Sequence, residues 1–393
     1  MRIAFIVRGN TRRNKYLNGY SLRYGGAGAS GTDTSSILVA EYLAKQGHEV
    51  VVVTDILDEP LENEFKANGG IYTPGEEFYG VKYTNTEFEG IDNKTFDILV
   101  SMLWYTDYNE LPITVTKSII YWSHMQWIYG LDELIKYATN NNLSIGIVNV
   151  SDWQQSCNQG IINHIIENYP RSLNALIPNP IFDEIINEVI NEIPTKKPGK
   201  FIFHSTWTTG GNTSLEAVRQ VNVPNKEFHA FDYFITVDHH TDDFFYNHGS
   251  CDRKTVFTHL AESEYLINPL NTIHKIIRKD TFALTVAEAL ALGVIVLTYP
   301  LGALPGNYKD YCVWLDAPDG VNLDEIKDLD LIRDEEGKFN QVNHIVDKIN
   351  YLEQNPQIKE HYKNAGKQYI LDNFNINKIG SIWDEFINNL NNV

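Results

Sequence analysis

Cysteine is scarce in this chain of 393 residues, with only Cys157, Cys251 and Cys312 present. They are odd in number, far apart and without the close CxxC or CxxH spacing of a zinc site. That argues against a disulfide framework and for reduced thiols in a cytosol-like compartment. Long apolar runs are missing too. The most apolar stretch, Phe282 to Leu304, is interrupted by Glu288, Gly293 and Pro300, so it reads as helix, turn and strand and not as a membrane span. The opening MRIAFIVRGN sets only five apolar residues between Arg2 and Arg8, too few for a signal-peptide core. A soluble, cytoplasmic protein is expected. Positive charge is in deficit: 32 Lys and Arg face 51 Asp and Glu, a formal net charge of −19. Such a field repels phosphate backbones and anionic lipid unless a local basic patch outweighs it, so nucleic acid is not an expected partner.

What is present is a globular composition. With 43% hydrophobic and 12% aromatic residues against 26 Gly and 14 Pro, collagenous, disordered and low-complexity chains are excluded. The length fits two domains. Short β-rich runs alternate with helical patterns, the signal of βαβ units and parallel sheets. Strands are expected at Arg2–Val7, Glu49–Thr54, Ile98–Met102, Ser118–Trp122, Ser144–Val150 and near Asn174–Ile177. A long polar, Gly-rich loop precedes a helix capped by Thr32 or Asp33, and Ser151 caps another. The run IPTKKPGK at Ile193–Lys200 then reads as a linker. The series restarts with strands at Lys200–His204, Glu227–Tyr233, Tyr265–Asn268 and Val294–Leu297 and helices at Thr213–Val221 and Leu284–Leu292. An amphipathic helix, Ile376–Asn389, closes the chain. The expected architecture is α/β: two doubly wound Rossmann-like domains facing a central cleft. Residues 1–193 would form the first domain and residues 199–374 the second. Ligands should bind where the strands of such sheets end.

Gly26-Ala-Gly28-Ala-Ser-Gly31 spells GxGxxG, but a dinucleotide fingerprint needs its first glycine at the turn leaving the strand, and eighteen residues separate Val7 from Gly26. NAD is not expected. Gly26 and Gly28 either offer backbone N–H groups to an anion or a sugar hydroxyl or form a loop without a ligand. Asp238-His-His-Thr-Asp-Asp243 has metal-binding residue types, yet contiguous side chains do not easily converge on one ion, so a solvated acidic loop is favoured and no metal is expected.

The segment Asp280-Thr-Phe-Ala-Leu-Thr-Val-Ala-Glu288-Ala-Leu-Ala-Leu-Gly293 sets two carboxylates eight positions apart around a turn and the start of a helix. It resembles the E-x7-E region of retaining, nucleotide-sugar-dependent glycosyltransferases of the GT-B fold, the large group-1 (family four) class, with Asp280 in place of the first Glu and Ala283 in place of the usual Gly. Val150-Ser-Asp-Trp153, Ile177-Pro-Asn-Pro180 and Asn373-Phe374 with the closing helix are similar to further family stretches in order, and the last of these implies that the helix within 375–393 returns to complete the first domain. One stretch departs. The family pattern G-R-x-x-x-x-K-G supplies two cations for the donor diphosphate, and here Ser205 and Gly210 stand at those positions.

The resemblance implies transfer of a sugar from a nucleoside-diphosphate donor to a hydroxyl on a glycan, lipid or protein, with retention of anomeric configuration and no metal cofactor. Glu288 would hold the donor ribose and Asp280 the sugar hydroxyls. The amides of Phe282, Ala283 and Leu284, beside Thr281, would receive the diphosphate charge with the hydroxyls of Ser205 and Thr206. Arg278 and Lys279 are either the replacement cations or a solvated basic pair. His124 either approaches the sugar, as the corresponding family histidine does, or belongs to an aromatic core. Trp122 and Trp127 could offer ring faces to a pyranose on the acceptor side. Two other outcomes fit the same residues: a nucleotide-sugar 2-epimerase of this fold, or a non-catalytic protein that binds a nucleotide sugar or glycan.

Overall fold

The chain divides into two units, each built on a mostly parallel sheet: Met1–Phe182 with Phe374–Val393, and Asp183–Asn373. The computed structural model describes residues 1–7, 17–24, 29–54, 73–102, 107–126, 130–192, 195–232, 242–269, 272–273, 276–277, 279–316 and 341–393.

In the first unit, β1 (Arg2–Ile6), β2 (Glu49–Val53), β3 (Glu77–Phe78), β4 (Val81–Thr84), β5 (Thr95–Met102), β6 (Thr114–Ser123), β7 (Ser144–Asn149) and β8 (Ser172–Leu176) form one sheet in the order β3-β4-β2-β1-β5-β6-β7-β8. All pairings are parallel except β3 with β4. Sequences such as EVVVV, with four consecutive buried valines, suit a strand covered on both sides. The strand order reverses direction between β1 and β5. Helices α1 (Gly19–Tyr24), α2 (Gly31–Lys45), α3 (Leu131–Asn140) and α4 (Asp152–Asn168) accompany the sheet. Helix α2 starts at Ser30, not at Thr32 or Asp33: Ser30 and Asp33 exchange the two hydrogen bonds of a capping box, so Asp33 is the reciprocal partner of the cap. Ser151 caps α4, its side chain accepting from the Gln154 amide.

The second unit begins with α5 (Asp183–Glu192) and carries β9 (Lys200–His204), α6 (Gly211–Gln220), β10 (Glu227–Phe231), β11 (Phe245–Gly249), α7 (Arg253–Glu262), β12 (Tyr265–Asn268), the small hairpin β13 (Thr272–Ile273) and β14 (Ile276–Ile277), α8 (Leu284–Ala291), β15 (Ile295–Thr298), α9 (Leu304–Tyr308) and β16 (Val313–Trp314). Its six-stranded sheet runs β11-β10-β9-β12-β15-β16, parallel throughout. Here the order reverses between β9 and β12. Helices α10 (Gln341–Gln354), α11 (Pro356–Ala365) and α12 (Lys367–Asn373) complete the unit. The composition break at Ile193–Lys200 lies one helix beyond the division in the structure. Helix α5 buries Ile185, Ile186 and Val189 and packs on α7, so its contacts place it in the second unit.

The closing helix, α13 (Ile376–Leu390), belongs to the first unit. It buries Ile379, Gly380, Trp383, Phe386, Ile387 and Leu390. Gly380 lies so close to the Tyr42 ring of α2 that a Cβ there would sit 2.3 Å from it, so glycine is what permits the approach. Strand β11, with sequence FYNHG, escapes the sequence reading because it is a polar edge strand with no apolar alternation.

Candidate functional site

The strand order reverses between β9 and β12, and open α/β sheets bind ligands outside the carboxyl ends of the strands at such a reversal. His204 ends β9 and Asn268 ends β12, whose Nδ2 donates to Thr298 Oγ1 at 3.0 Å. Arg253, the first residue of α7, is 4% exposed, and Asp252 caps that helix by accepting from the Thr255 amide at 2.8 Å. Glu288, on α8, has no exposed surface. Its Oε2 accepts from Arg253 Nη1 at 3.1 Å, and its Oε1 has no hydrogen-bond partner among the described residues. Burial pushes the Glu288 pKa up to about 7, against the pull of Arg253. His204 is driven the other way: burial, then the Arg253 charge, lower it to about 3, so its ring is neutral.

The turn entering α8 is held from behind. Tyr308 donates its hydroxyl proton toward the Phe282 carbonyl at 2.5 Å and the Ala283 carbonyl at 3.0 Å. The Ala303 amide donates to the Asp280 carbonyl at 3.0 Å. Gly302, at φ +59°, allows this approach, since a Cβ there would meet the same carbonyl at 2.7 Å. Ala283 itself is left-handed, φ 58° and ψ 66°, a conformation that costs an L-residue with a Cβ roughly 1–2 kcal/mol. Its carbonyl accepts from the Val286 amide, while the first N–H groups of α8 have no intrahelical partner and carry the positive end of the helix dipole. Asp280, Lys279 and Thr281 are half-buried beside this turn.

Beyond β9 the chain makes a short 3₁₀ turn, Trp207–Thr209. Ser205 Oγ lies 3.2 Å from Thr209 Oγ1, whose hydroxyl donates to the Thr206 carbonyl at 2.6 Å. Gly210 has φ +146°, and a Cβ on it would stand 2.4 Å from Pro269.

In the first unit, His124 follows β6 and is 8% exposed. Burial lowers its pKa to about 3, so it too is neutral. Its ring centroid is 4.7 Å from that of Trp122, which in turn stands 4.5 Å from Trp383. Gln154 anchors the loop, donating to Ser123 Oγ at 2.9 Å and the Met125 carbonyl at 2.8 Å.

Compared as a sequence, the chain matches no protein-family model and no curated protein. Compared as a structure, it matches sucrose-phosphate synthase from Thermosynechococcus elongatus at 11% identity and a TM-score of 0.64, over 99% of this chain and 98% of that one. It also matches HepE from Anabaena, solved with UDP and glucose, at 10% identity and a TM-score of 0.56, over 99% and 100% of the two chains. A third match is the catalytic domain of starch synthase IV from Arabidopsis thaliana, bound to ADP and acarbose, at 11% identity and a TM-score of 0.54, over 100% and 99%. The fold is GT-B.

Within this GT-B chain, the structure brings Glu288 together with Arg253, whose charge also acts on His204; sequence reasoning selected neither Arg253 nor His204. No spacing announces Arg253; its only signal is an Asp-Arg pair opening a helix, behind a polar strand. At Gly210, where the resemblance expects a lysine, contact with Pro269 leaves no room for a side chain. Trp122 is corrected: it is fully buried between Trp383 and His124 and has no face to offer a sugar. Gly26, Gly28, Trp127, Arg278 and the Asp238–Thr241 part of the acidic run lie outside the described residues. Asp242, from the end of that run, pairs with Arg219 at 2.6 Å.

Proposed function

We propose that the protein is a metal-independent, retaining glycosyltransferase that moves a sugar from a nucleoside diphosphate to a hydroxyl of a glycan, lipid or protein. The observation that carries this reading is Glu288: a buried carboxylate in the segment similar to the E-x7-E region, one oxygen tied to Arg253 and the other without a partner among the described residues. Such an oxygen is suited to accept a ribose hydroxyl, and Arg253 would orient it. Because Glu288 has no exposed surface, ribose binding requires the side chains over it to part. The turn at Phe282–Leu284 would direct its free amides at the diphosphate, joined by the Ser205 and Thr206 hydroxyls, with Lys279 and Arg278 adding charge. Asp280 would bind sugar hydroxyls. Neutral His124 would serve as a hydrogen-bonding group from the first unit, not as a cation.

The test is a transfer assay with UDP-, GDP-, ADP- and TDP-sugars and mixed hydroxyl acceptors in EDTA, with product anomers assigned by NMR. Transfer with retention is the expected result. A free rearranged sugar from donor alone would identify a 2-epimerase, binding without turnover a non-catalytic protein, and transfer that needs added Mn²⁺ would end metal independence.

A further inference from the structure

We propose that His229, His248 and His259 form a binding site for one divalent transition-metal ion of the zinc class. The three residues come from β10, β11 and α7, and each offers a ring nitrogen within 4.8 Å of the other two. Among the described residues they are the one group of three or more His, Cys, Asp or Glu side chains with metal-binding spacing. Sequence spacing does not announce them, and the sequence reading expects no metal; the fold alone brings them together.

His229 Nδ1 and His248 Nε2 stand 2.8 Å apart. On a tetrahedral zinc ion, with Zn–N of about 2.0–2.1 Å, two ligand nitrogens stand roughly 3.3 Å apart. The pair therefore has to open by about half an ångström and the third ring to close by up to about 1.5 Å, both within side-chain rotation. His229 Nε2 lies 3.1 Å from Glu227 Oε2. That carboxylate holds the ring proton on Nε2 and turns the Nδ1 lone pair to the cluster, an arrangement common behind metal-ligating histidines. Ion binding would move the His248 proton from Nε2 to Nδ1. Packing limits the ring motions: His248 stacks on Phe231 at 4.5 Å and His229 on Tyr246 at 4.8 Å.

One cation competes. Lys200 Nζ is 3.0 Å from His259 Nδ1, but it is also 2.6 Å from Glu262 Oε2, which pairs with Lys197 as well. On ion binding Lys200 would release His259 and stay on Glu262. Burial, then Lys200, lowers His229 and His259 to about 3, so the rings are in the neutral form that binds metal. Imidazole donors do not suit Mg²⁺ or Ca²⁺ and do suit Zn²⁺, Ni²⁺, Cu²⁺ and Co²⁺. The ion would tie edge strand β11 to α7, the helix whose first residue holds Glu288.

The proposal does not depend on the glycosyltransferase reading. Tag-free protein, stripped with chelator and dialysed, is titrated with Co²⁺ and Zn²⁺. The expected result is one saturating equivalent, a tetrahedral Co²⁺ absorption spectrum and a raised melting temperature. His248→Gln and His259→Gln should abolish that equivalent, and Glu227→Gln, on a half-exposed side chain, should weaken it about 10–100-fold. His248→Gln should leave nucleotide-sugar binding unchanged. Wild-type protein with no saturable equivalent, or all three variants binding like wild type, would overturn the proposal.

Discussion

Glu288 is an acid enclosed by protein, and its titration has a definite sign. Its folded pKa of about 7 lies above the ordinary value of 4.5, so the folded state holds the extra proton between those values. The contribution to stability is present below about pH 4.5 and is lost as pH rises through 7. Glu288→Gln removes this dependence. Urea midpoints at pH 5 and pH 8 should therefore show the variant gaining on wild type at the higher pH; parallel losses in both proteins would show that Glu288 does not titrate there. A second buried charge makes the contrast. Arg23 and Glu41, 1% and 3% exposed, form a two-bond pair at 2.8 and 3.0 Å, with the guanidinium 3.9 Å from the Tyr79 ring centroid. Glu41→Ala would remove both of these bonds from a buried cation and should cost about 3–5 kcal/mol in chemical denaturation. A cost near that of an exposed pair, under about 1 kcal/mol, would mean the site rehydrates.

At the scale of elements, the entry to α8 joins backbone strain to the candidate chemistry. Ala283 occupies the left-handed region where the glycosyltransferase pattern carries glycine. Ala283→Gly should relieve that strain, offset in part by the greater freedom of glycine in the unfolded chain, for a net gain of up to about 1 kcal/mol. Ala283→Val should lose stability, because branching at Cβ tightens the same clash. Thermal melts of the two variants check both directions, and a stabilising valine would contradict the assigned backbone. This segment was legible in the sequence because its residues are adjacent in the chain and its turn chemistry is local. Arg253, His204 and the three histidines were not, since they are spread over β9, β10, β11 and α7 and only packing brings them together. Trp122 was misjudged for the same reason: the ring that covers it, Trp383, is 261 positions further along the chain.

For the whole molecule, the alternation of buried strands and helices was readable in the centre of both sheets but not at β3, β4, β11 or β16, and the fold is shared at sequence identities near 11%. Periodicity preserves which positions are buried without preserving which residues fill them. The last helix was readable in its amphipathic pattern and its return was implied by the family resemblance, whereas its close contact rests on Gly380 and Tyr42, a pairing that no local pattern announces. Gly380→Leu should displace α13 from α2 and lower the melting temperature by several degrees or more, exposing Trp383 to a fluorescence quencher; unchanged melting and quenching would show that the contact is dispensable. The claim that Glu288 receives the donor is tested most directly by calorimetric titration of UDP-, GDP-, ADP- and TDP-sugars into wild type and Glu288→Ala. The account predicts that one donor class binds wild type at one equivalent and that the folded variant binds it at least about tenfold more weakly, a loss of about 1.4 kcal/mol. Equal affinity in a folded Glu288→Ala, or no donor bound by folded wild type, would contradict it.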